Sequence, residues 1–498
     1  MFIPPEFVPD PCPAMSLWTE EGVAGVGYGH AFYPELSPGV IGYALIHGGV
    51  KPPQGVLQGR FSWCDLGCGQ GVSVNVLAAL YPHSRFEGVD VLPEHIHNAR
   101  RLAGQAGLTN VSFHQESFAR FAEREGDPFD VIVLHGVLSW VGPDARKDLA
   151  AILARRLKPG GVVFASYNLL PGWAALAPIR QLLYRHVAAG YGAMEERIER
   201  ALSFATRLST LDCGYFARLP GAESHLAGLA RKPVSYLAHE YLNRDWAPLY
   251  HAEVAELMYE QAGLAYVGSA TFADLDDGWS VPMEGIGLMA QVPDRRLRET
   301  IRDTLTMNRF RRDLFMAEPT MLSAGERAVL LEHFPLRAAM TADELPAGFS
   351  APQGTVAFGS EHRAALEQQS GAAKVVLGLL SVGALMPVVA GDHEGAARYN
   401  RAVLRANRQS PDLSQLAAPG LGGAVDLDML ARLFLLAEME GASPAAFAAA
   451  ILAERGKTLW REGNELTRAE EIKAELERLY ARFLTRQRQH LEAVGAVP

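Results

Sequence analysis

Asp65, Gly67, Gly69 and Gly71 fall on alternate positions of "WCDLGCGQG", residues 63 to 71, with Cys64 and Cys68 among them. Residues of these types at this density suit three chemistries: a thiolate metal site, a phosphate-cradling loop, or a turn that brings backbone N–H groups against a cofactor. The thiolate reading needs a second Cys or His pair at zinc spacing, and the sequence offers none, so no metal is expected. A dinucleotide fingerprint needs Gly-x-Gly-x-x-Gly, but position 72 is valine. A P-loop needs Lys-Ser/Thr after the last glycine, which is also missing. What fits is a side-chain-free turn between a strand and a helix, whose N-terminus faces whatever lies above the sheet edge.

A second carboxylate closes the next β-rich run, "FEGVD". There Asp90 is placed to accept both hydroxyls of a ribose, as acidic residues do in nucleotide-binding folds. The plainer reading is an N-cap for "LPEHIHNAR", but a cap alone does not explain its place after the strand that follows the glycine-loop unit. Later runs end in further candidates. "NVSFHQESF" offers Ser117 and the backbone at Phe118 with Glu116 beside them, and "FDVIVLHGVLSWV" ends in His135 and Gly136. His135 reads equally well as a packed core histidine. "SYNLLPGW" sets Tyr167 and Asn168 over the reacting centre.

These residues need a scaffold that brings strand ends together. Between Phe61 and Asn168 short β-rich runs alternate with amphipathic stretches, the pattern of a parallel sheet with helices on its faces. Strands are predicted over 61–65, 85–90, 111–114, 129–134 and 161–167, and helices over 73–81, 93–106 and 144–157, the last stopped by "KPGG". Residues 173–235 then read as a helical insertion. "HAEVAELMYEQAGLAYVGSATF" (251–272) restores a helix and a strand that would complete the sheet. From Pro293 onward the chain reads as a separate, mostly helical C-terminal domain. Within it "FRRDLF" reads either as a basic contact patch or as a solvated helix face with interspersed arginines.

Bulk properties narrow the function. The 498 residues are 49% hydrophobic and 20% charged, which suits a folded chain of several domains. A net charge of −10 argues against a general nucleic-acid binder, which must displace counterions from phosphates. Four cysteines, Cys12, Cys64, Cys68 and Cys213, are too few for a disulfide framework, so a reducing cytoplasm is expected. The N-terminus lacks the basic start and apolar run of a signal peptide. "VVLGLLSVGALMPVVA" (375–390) is shorter than the roughly 20 residues of a spanning helix and contains Pro387, so it reads as a buried helix ending before the proline.

The Asp-x-Gly-x-Gly-x-Gly loop with its downstream Asp90 resembles class I S-adenosylmethionine-dependent methyltransferases. "LHGVLSWV", "SYNLLPGW", "YLAHEYLN" (236–243) and "YGHAFYPELSP" (28–38) are similar to the bacterial members that carry a methyltransferase regulatory domain, a group that includes rickettsial protein-lysine methyltransferases. The resemblance spans nearly the whole chain and implies an α/β, Rossmann-like methyltransferase sheet (61–172 and 236–292). It also implies an N-terminal cap or lid (1–60), the helical insertion (173–235) and a helical C-terminal regulatory or substrate-binding domain (293–498). S-adenosylmethionine is the implied cofactor, held by Asp65, Gly67, Gly69, Gly71, Asp90, Ser117, Phe118, His135 and Gly136. Tyr28 and Tyr33 fold over it as a lid, or else simply pack a loop against the sheet. Leu138 stands where an aromatic residue is expected at the acceptor pocket.

Methyl transfer is an in-line displacement at the sulfonium carbon, so the protein supplies orientation and, for a lysine acceptor, an uncharged amine. Tyr167, Asn168, His135 and Tyr33 are the polar groups expected near the methyl. The acceptor implied is a protein lysine; a small molecule or surface saccharide, methylated on oxygen or nitrogen, is the alternative. Base methylation is disfavoured because "HGVL" stands where exocyclic-amine methylases carry Asn/Asp-Pro-Pro-Tyr. A non-catalytic cofactor sensor is the remaining alternative.

Overall fold

The computed structural model describes residues 18–19, 22–23, 29–211, 213–219 and 221–497; Cys12 and Tyr28 lie outside the described residues. Its centre is a seven-stranded mixed sheet. In spatial order the strands are Val111–Gln115, Arg85–Asp90, Ser62–Leu66, Phe129–Leu134, Leu157–Asn168, Phe310–Met316 and Ala265–Ser269. The first five run parallel, and Phe310–Met316 is antiparallel to both its neighbours.

The strands are nearly continuous apolar runs because both faces are covered, as parallel sheets require. Val131, Val133, Phe164 and Leu314 face one core, beneath the helices Val72–Leu80 and Pro93–Gln105. Ile132, Leu134, Ala165 and Phe315 face the other, beneath Pro143–Arg156 and His251–Ala262. Successive connections leave Ser62–Leu66 and Phe129–Leu134 toward opposite edges. The crevice at the carboxyl ends of these two strands is therefore the topological switch point where ligands bind in such sheets.

The predicted strands and helices of residues 61–168 are present within a few residues at each end. One exception is "KPGG": the helix stops at Arg156, and the strand Leu157–Asn168 runs through the motif, with Gly160 at φ +71°. A short helix, Phe118–Glu123, was not predicted. The insertion is helical, with Ala177–Ala189, Met194–Ser209, Ala222–Leu229 and Val234–Tyr241 around an apolar cluster of their own.

The sheet is not complete at residue 292. Phe310–Met316, assigned above to the C-terminal domain, is wedged between Leu157–Asn168 and Ala265–Ser269. "FRRDLF" is thus neither a contact patch nor a helix face but a strand of period two: Arg311, Asp313 and Phe315 point to one face, Arg312, Leu314 and Met316 to the other. Arg311 is 4% exposed and paired with Asp313, Asp303 and Glu299.

The C-terminal region is not a separate body. Every residue of Val72–Leu80 is buried, because its outer side is covered by His393–Ala406. A Cβ at Gly395 would lie 2.1 Å from the Ala79 carbonyl oxygen, so glycine sets how closely the two helices approach. Tyr81 donates its hydroxyl to the Val389 carbonyl at 2.8 Å. Between Ala373–Ser381 and Pro387 the expected single helix divides: Gly383 turns at φ +69°, and Leu385–Pro387 pairs with Leu336–Ala338. Likewise Pro38–His47, placed above in the cap, has nine of its ten residues buried and is a core element. Among the described residues no helix is long and apolar enough to cross a membrane.

Candidate active site

A cleft of about 470 Å³ opens at the switch point. It runs from Glu116–Ala119, beyond the third strand, past the glycine loop and Asp90, to His135–Val141 beyond the fourth. Asp148 and the segment His239–Asp245, where the insertion ends, close its far side.

The loop takes its shape from glycines at positive φ: Gly67 at +85°, Gly69 at +53° and Gly71 at +67°. They serve different ends. A Cβ on Gly69 would meet nothing within 4 Å, which leaves that backbone open to the cleft. A Cβ on Gly71 would lie 2.5 Å from the Ala99 Cβ and 2.8 Å from the Phe113 ring. Gly71 is not among the cleft's lining residues, so its place in the expected cofactor set is corrected: it lets the helix Val72–Leu80 pack closely on its neighbours.

Asp90 organises the loop. Its Oδ2 accepts the Gly69 N–H at 2.9 Å, its Oδ1 accepts the Leu92 N–H at 2.9 Å, and His95 Nδ1 lies 3.2 Å from the same Oδ1. The N-cap of Pro93–Gln105 is Leu92, so Asp90 is not the cap residue. Its side chain is 12% exposed and borders the cleft, with lone pairs left for a pair of hydroxyls. Asp65 is buried, and its Oδ1 has no hydrogen-bond partner among the described residues. Burial, reinforced by the Asp90 charge, pushes its carboxyl up to about 7. A buried, unsatisfied carboxyl facing a cleft is suited to a cationic ligand group.

Segment 29–37 straps across the other wall. Tyr33 stacks on His135 with ring centroids 3.9 Å apart, and its N–H donates to Ser73 Oγ at 3.2 Å. His135 Nε2 lies 3.4 Å from Glu35 Oε1, which also accepts from Arg312 Nε at 2.7 Å. Burial opposes ionisation of Glu35, but the His135 hydrogen bond and the Arg312 charge outweigh it and hold the carboxyl at about 2. Gly136 donates its N–H to Ser166 Oγ at 2.8 Å, which fixes the turn after the fourth strand.

The cleft gathers Tyr33, Asp65, Gly67, Gly69, Asp90, Ser117, Phe118, His135 and Gly136. Ser117 also caps Phe118–Glu123, its Oγ accepting the Arg120 N–H at 3.4 Å. Tyr167 and Asn168 are corrections, for neither lines the cleft. Tyr167 is fully buried and points to the opposite side of the sheet, where its hydroxyl donates to Asp313 Oδ2 at 2.6 Å and lies 3.3 Å from His251 Nδ1. Asn168 is 5% exposed and held by its backbone, accepting the Leu249 N–H and donating to Ser139 Oγ. Leu138 is wholly buried in the core, and the cleft's aromatic residue from that turn is Trp140.

Sequence reasoning missed His95, Glu35, Arg312, Asp148 and the run His239–Asp245. Period-two reading of "FRRDLF" would have separated Arg312 from Arg311. Nothing local in the sequence marks the others. Among the described residues no group of three or more His, Cys, Asp or Glu is arranged to hold a metal ion.

Known proteins are similar to this chain in sequence and in fold. Residues 59–226 match a methyltransferase domain, and residues 233–317 match a predicted methyltransferase regulatory domain. The uncharacterized protein sll1526 of Synechocystis sp. is 32% identical over 483 residues, covering 91% of this chain and 95% of that one. The uncharacterized protein RP789 of Rickettsia prowazekii is 29% identical over 253 residues, 50% of this chain and 45% of the other. PKMT2 from Rickettsia typhi has the same fold over 92% of this chain and 98% of its own, with a TM-score of 0.67 at 18% identity. The structure of that protein in complex with AdoHcy aligns with a TM-score of 0.66.

Sheet order, glycine loop and cleft define an S-adenosylmethionine-dependent methyltransferase of class I. The chain belongs to the family that includes the cyanobacterial protein, methyltransferases joined to a regulatory domain. In this fold the regulatory segment 233–317 supplies two strands of the catalytic sheet, and from it Arg312 reaches Glu35.

Proposed function

We propose that the enzyme transfers the methyl group of S-adenosylmethionine to lysine side chains of a protein. The observation that carries this reading is the cleft's lining, which includes the carboxylates Asp148, Glu240 and Asp245, the last paired with Arg244, and the rings of Trp140 and Phe310. Carboxylates there attract a lysine ammonium. Those carboxylates favour the ammonium, whereas the aromatic walls, taking its alkyl stem out of water, disfavour it, and the amine attacks once its proton has passed to water or to one of the carboxylates. Glycine loop, Asp65 and Asp90 hold the cofactor in this scheme, while the stacked Tyr33 and His135 shape the wall beside the transferable methyl. The likeness of fold to PKMT2 over 92% of this chain, together with the sequence's resemblance to rickettsial protein-lysine methyltransferases, supports a protein acceptor.

The test is incubation of the full chain with methyl-labelled cofactor and a lysate of its source organism, followed by digestion and mass mapping of the label. Methyl increments on lysine Nζ of proteins are expected. Label confined to small molecules, glycans or other side chains would overturn the proposal.

A further inference from the structure

His239, Glu240, Asn243, Arg244 and Asp245 line the cleft where the last helix of the insertion, Val234–Tyr241, gives way to irregular chain. A run with so little regular structure keeps its shape only through tethers to firmer elements. On the sheet side it has two. Ala247 donates its N–H to the carbonyl of Ser139, the neighbour of Trp140, at 2.9 Å, and Leu249 donates to the Asn168 carbonyl at 2.9 Å. On the insertion side the tether is a side chain, Arg180.

Arg180 stands on the helix Ala177–Ala189 and is 5% exposed. Its Nη2 donates to the Asn243 carbonyl, and its guanidinium lies 4.8 Å from the centre of the Tyr184 ring and 4.9 Å from that of Trp246. Trp246 is itself met edge-on by Trp173, with ring centroids 5.2 Å apart. No carboxylate among the described residues pairs with Arg180, and burial pushes its guanidinium down to about 10, which leaves it charged at neutral pH. A buried cation without a counter-ion is costly. Arg180 takes its compensation from two π-faces and a carbonyl dipole, and together these fix the plane of the guanidinium. Arg197, on the next helix of the insertion, is also buried and also donates to a carbonyl, but to that of Gly190, which does not line the cleft.

We propose that Arg180 is a positioning residue for the methyl acceptor: by holding the Asn243 carbonyl it sets the wall His239–Asp245, and with it the acceptor's approach to the cofactor. The inference rests on this part of the cleft receiving the acceptor, whatever the acceptor's class. The glycine loop and Asp90 are held by strand ends and by each other, with no contact to Arg180. Loosening Arg180 therefore acts on the acceptor and spares the cofactor, a division that a general loss of stability would not produce.

The test measures transfer of label from S-adenosylmethionine into a lysate of the source organism against lysate concentration, with label counted in protein and small molecules together. Wild type, Arg180→Met, Arg180→Lys and Arg197→Met are compared, and S-adenosylhomocysteine affinity is measured for each by calorimetry. Arg180→Met keeps the length of the side chain but loses its donors, and is expected to raise the half-saturating lysate concentration about tenfold while changing S-adenosylhomocysteine affinity less than about twofold. Arg180→Lys keeps the charge but loses the planar fork between the rings, and is expected to give a rise of about threefold. If Arg180→Met does not fold, Arg180→Lys decides alone. Arg197→Met is expected to leave the half-saturating concentration unchanged. Wild-type half-saturation in the folded Arg180 variants, an equal rise in Arg197→Met, or a loss of S-adenosylhomocysteine affinity by the same factor would overturn the proposal. Because label is counted in every fraction, an acceptor other than lysine leaves this comparison intact.

Discussion

Asp65→Asn probes the cofactor site through a proton. In the free protein the Asp65 carboxyl stands near 7 rather than 3.8, because burial and then the Asp90 charge disfavour its ionisation. The folded chain therefore holds a proton that the unfolded chain releases. The stability this contributes is complete below about pH 4 and is lost as pH rises through 7, by up to about 4 kcal/mol for a shift of about three units. S-adenosylmethionine is cationic, and bound beside Asp65 it favours the carboxylate. Binding below pH 7 then has to expel the proton, and affinity falls by about 30-fold between pH 8 and pH 5.5. The assay is calorimetric titration with S-adenosylmethionine across that range, in buffers of different ionisation enthalpy, on wild type and Asp65→Asn. Wild type is expected to release about one proton more than the variant near pH 6 and none more at pH 8.5. Identical pH profiles for the two proteins would refute the reasoning.

Asp90→Ala removes the acceptor for the Gly69 and Leu92 N–H groups and for the ribose hydroxyls. Two charge-assisted hydrogen bonds to the ribose imply a loss of about 3 kcal/mol, or about 100-fold in S-adenosylhomocysteine affinity by titration. Gly71→Ala, which would force a Cβ to 2.5 Å from Ala99, is expected to lower the melting temperature steeply. Gly69→Ala, with open space around its Cβ, costs only about 1 kcal/mol of stability yet weakens cofactor binding. Tyr167→Phe leaves the buried Asp313 without one donor and is expected to cost about 1–3 kcal/mol in denaturant unfolding, with kcat changed less than about threefold. A large fall in kcat at unchanged stability would instead restore a catalytic role for Tyr167.

The cleft beside the glycine loop was legible because its signals are local. Asp65, the glycines and Asp90 are fixed by strand ends and turn chemistry within about 30 residues, and of these Asp65, Gly67, Gly69 and Asp90 face the cleft while Gly71 serves helix packing. Where the reading failed, the cause was a non-local contact. Tyr167 sits one residue out of phase for the cleft: Ser166 serves Gly136 on one face of the strand, while Tyr167 serves Asp313 on the other. Arg311 and Asp313 read as surface charge, since nothing in "FRRDLF" shows that Asp303, Glu299 and His251 converge on them from two helices. The wall formed by Tyr33 and Glu35 depends on partners about a hundred or more residues away, and the run His239–Asp245 reaches the cleft only through the way the insertion folds back.

Methyl transfer from labelled S-adenosylmethionine into a lysate of the source organism, set beside transfer into the same lysate after its lysine amines have been acetylated, tests the central claim most directly. An enzyme whose cleft presents the cofactor to a lysine should label protein in the first sample and lose nearly all of that label in the second. Protein label that survives acetylation, or label that enters only non-protein material, would contradict it.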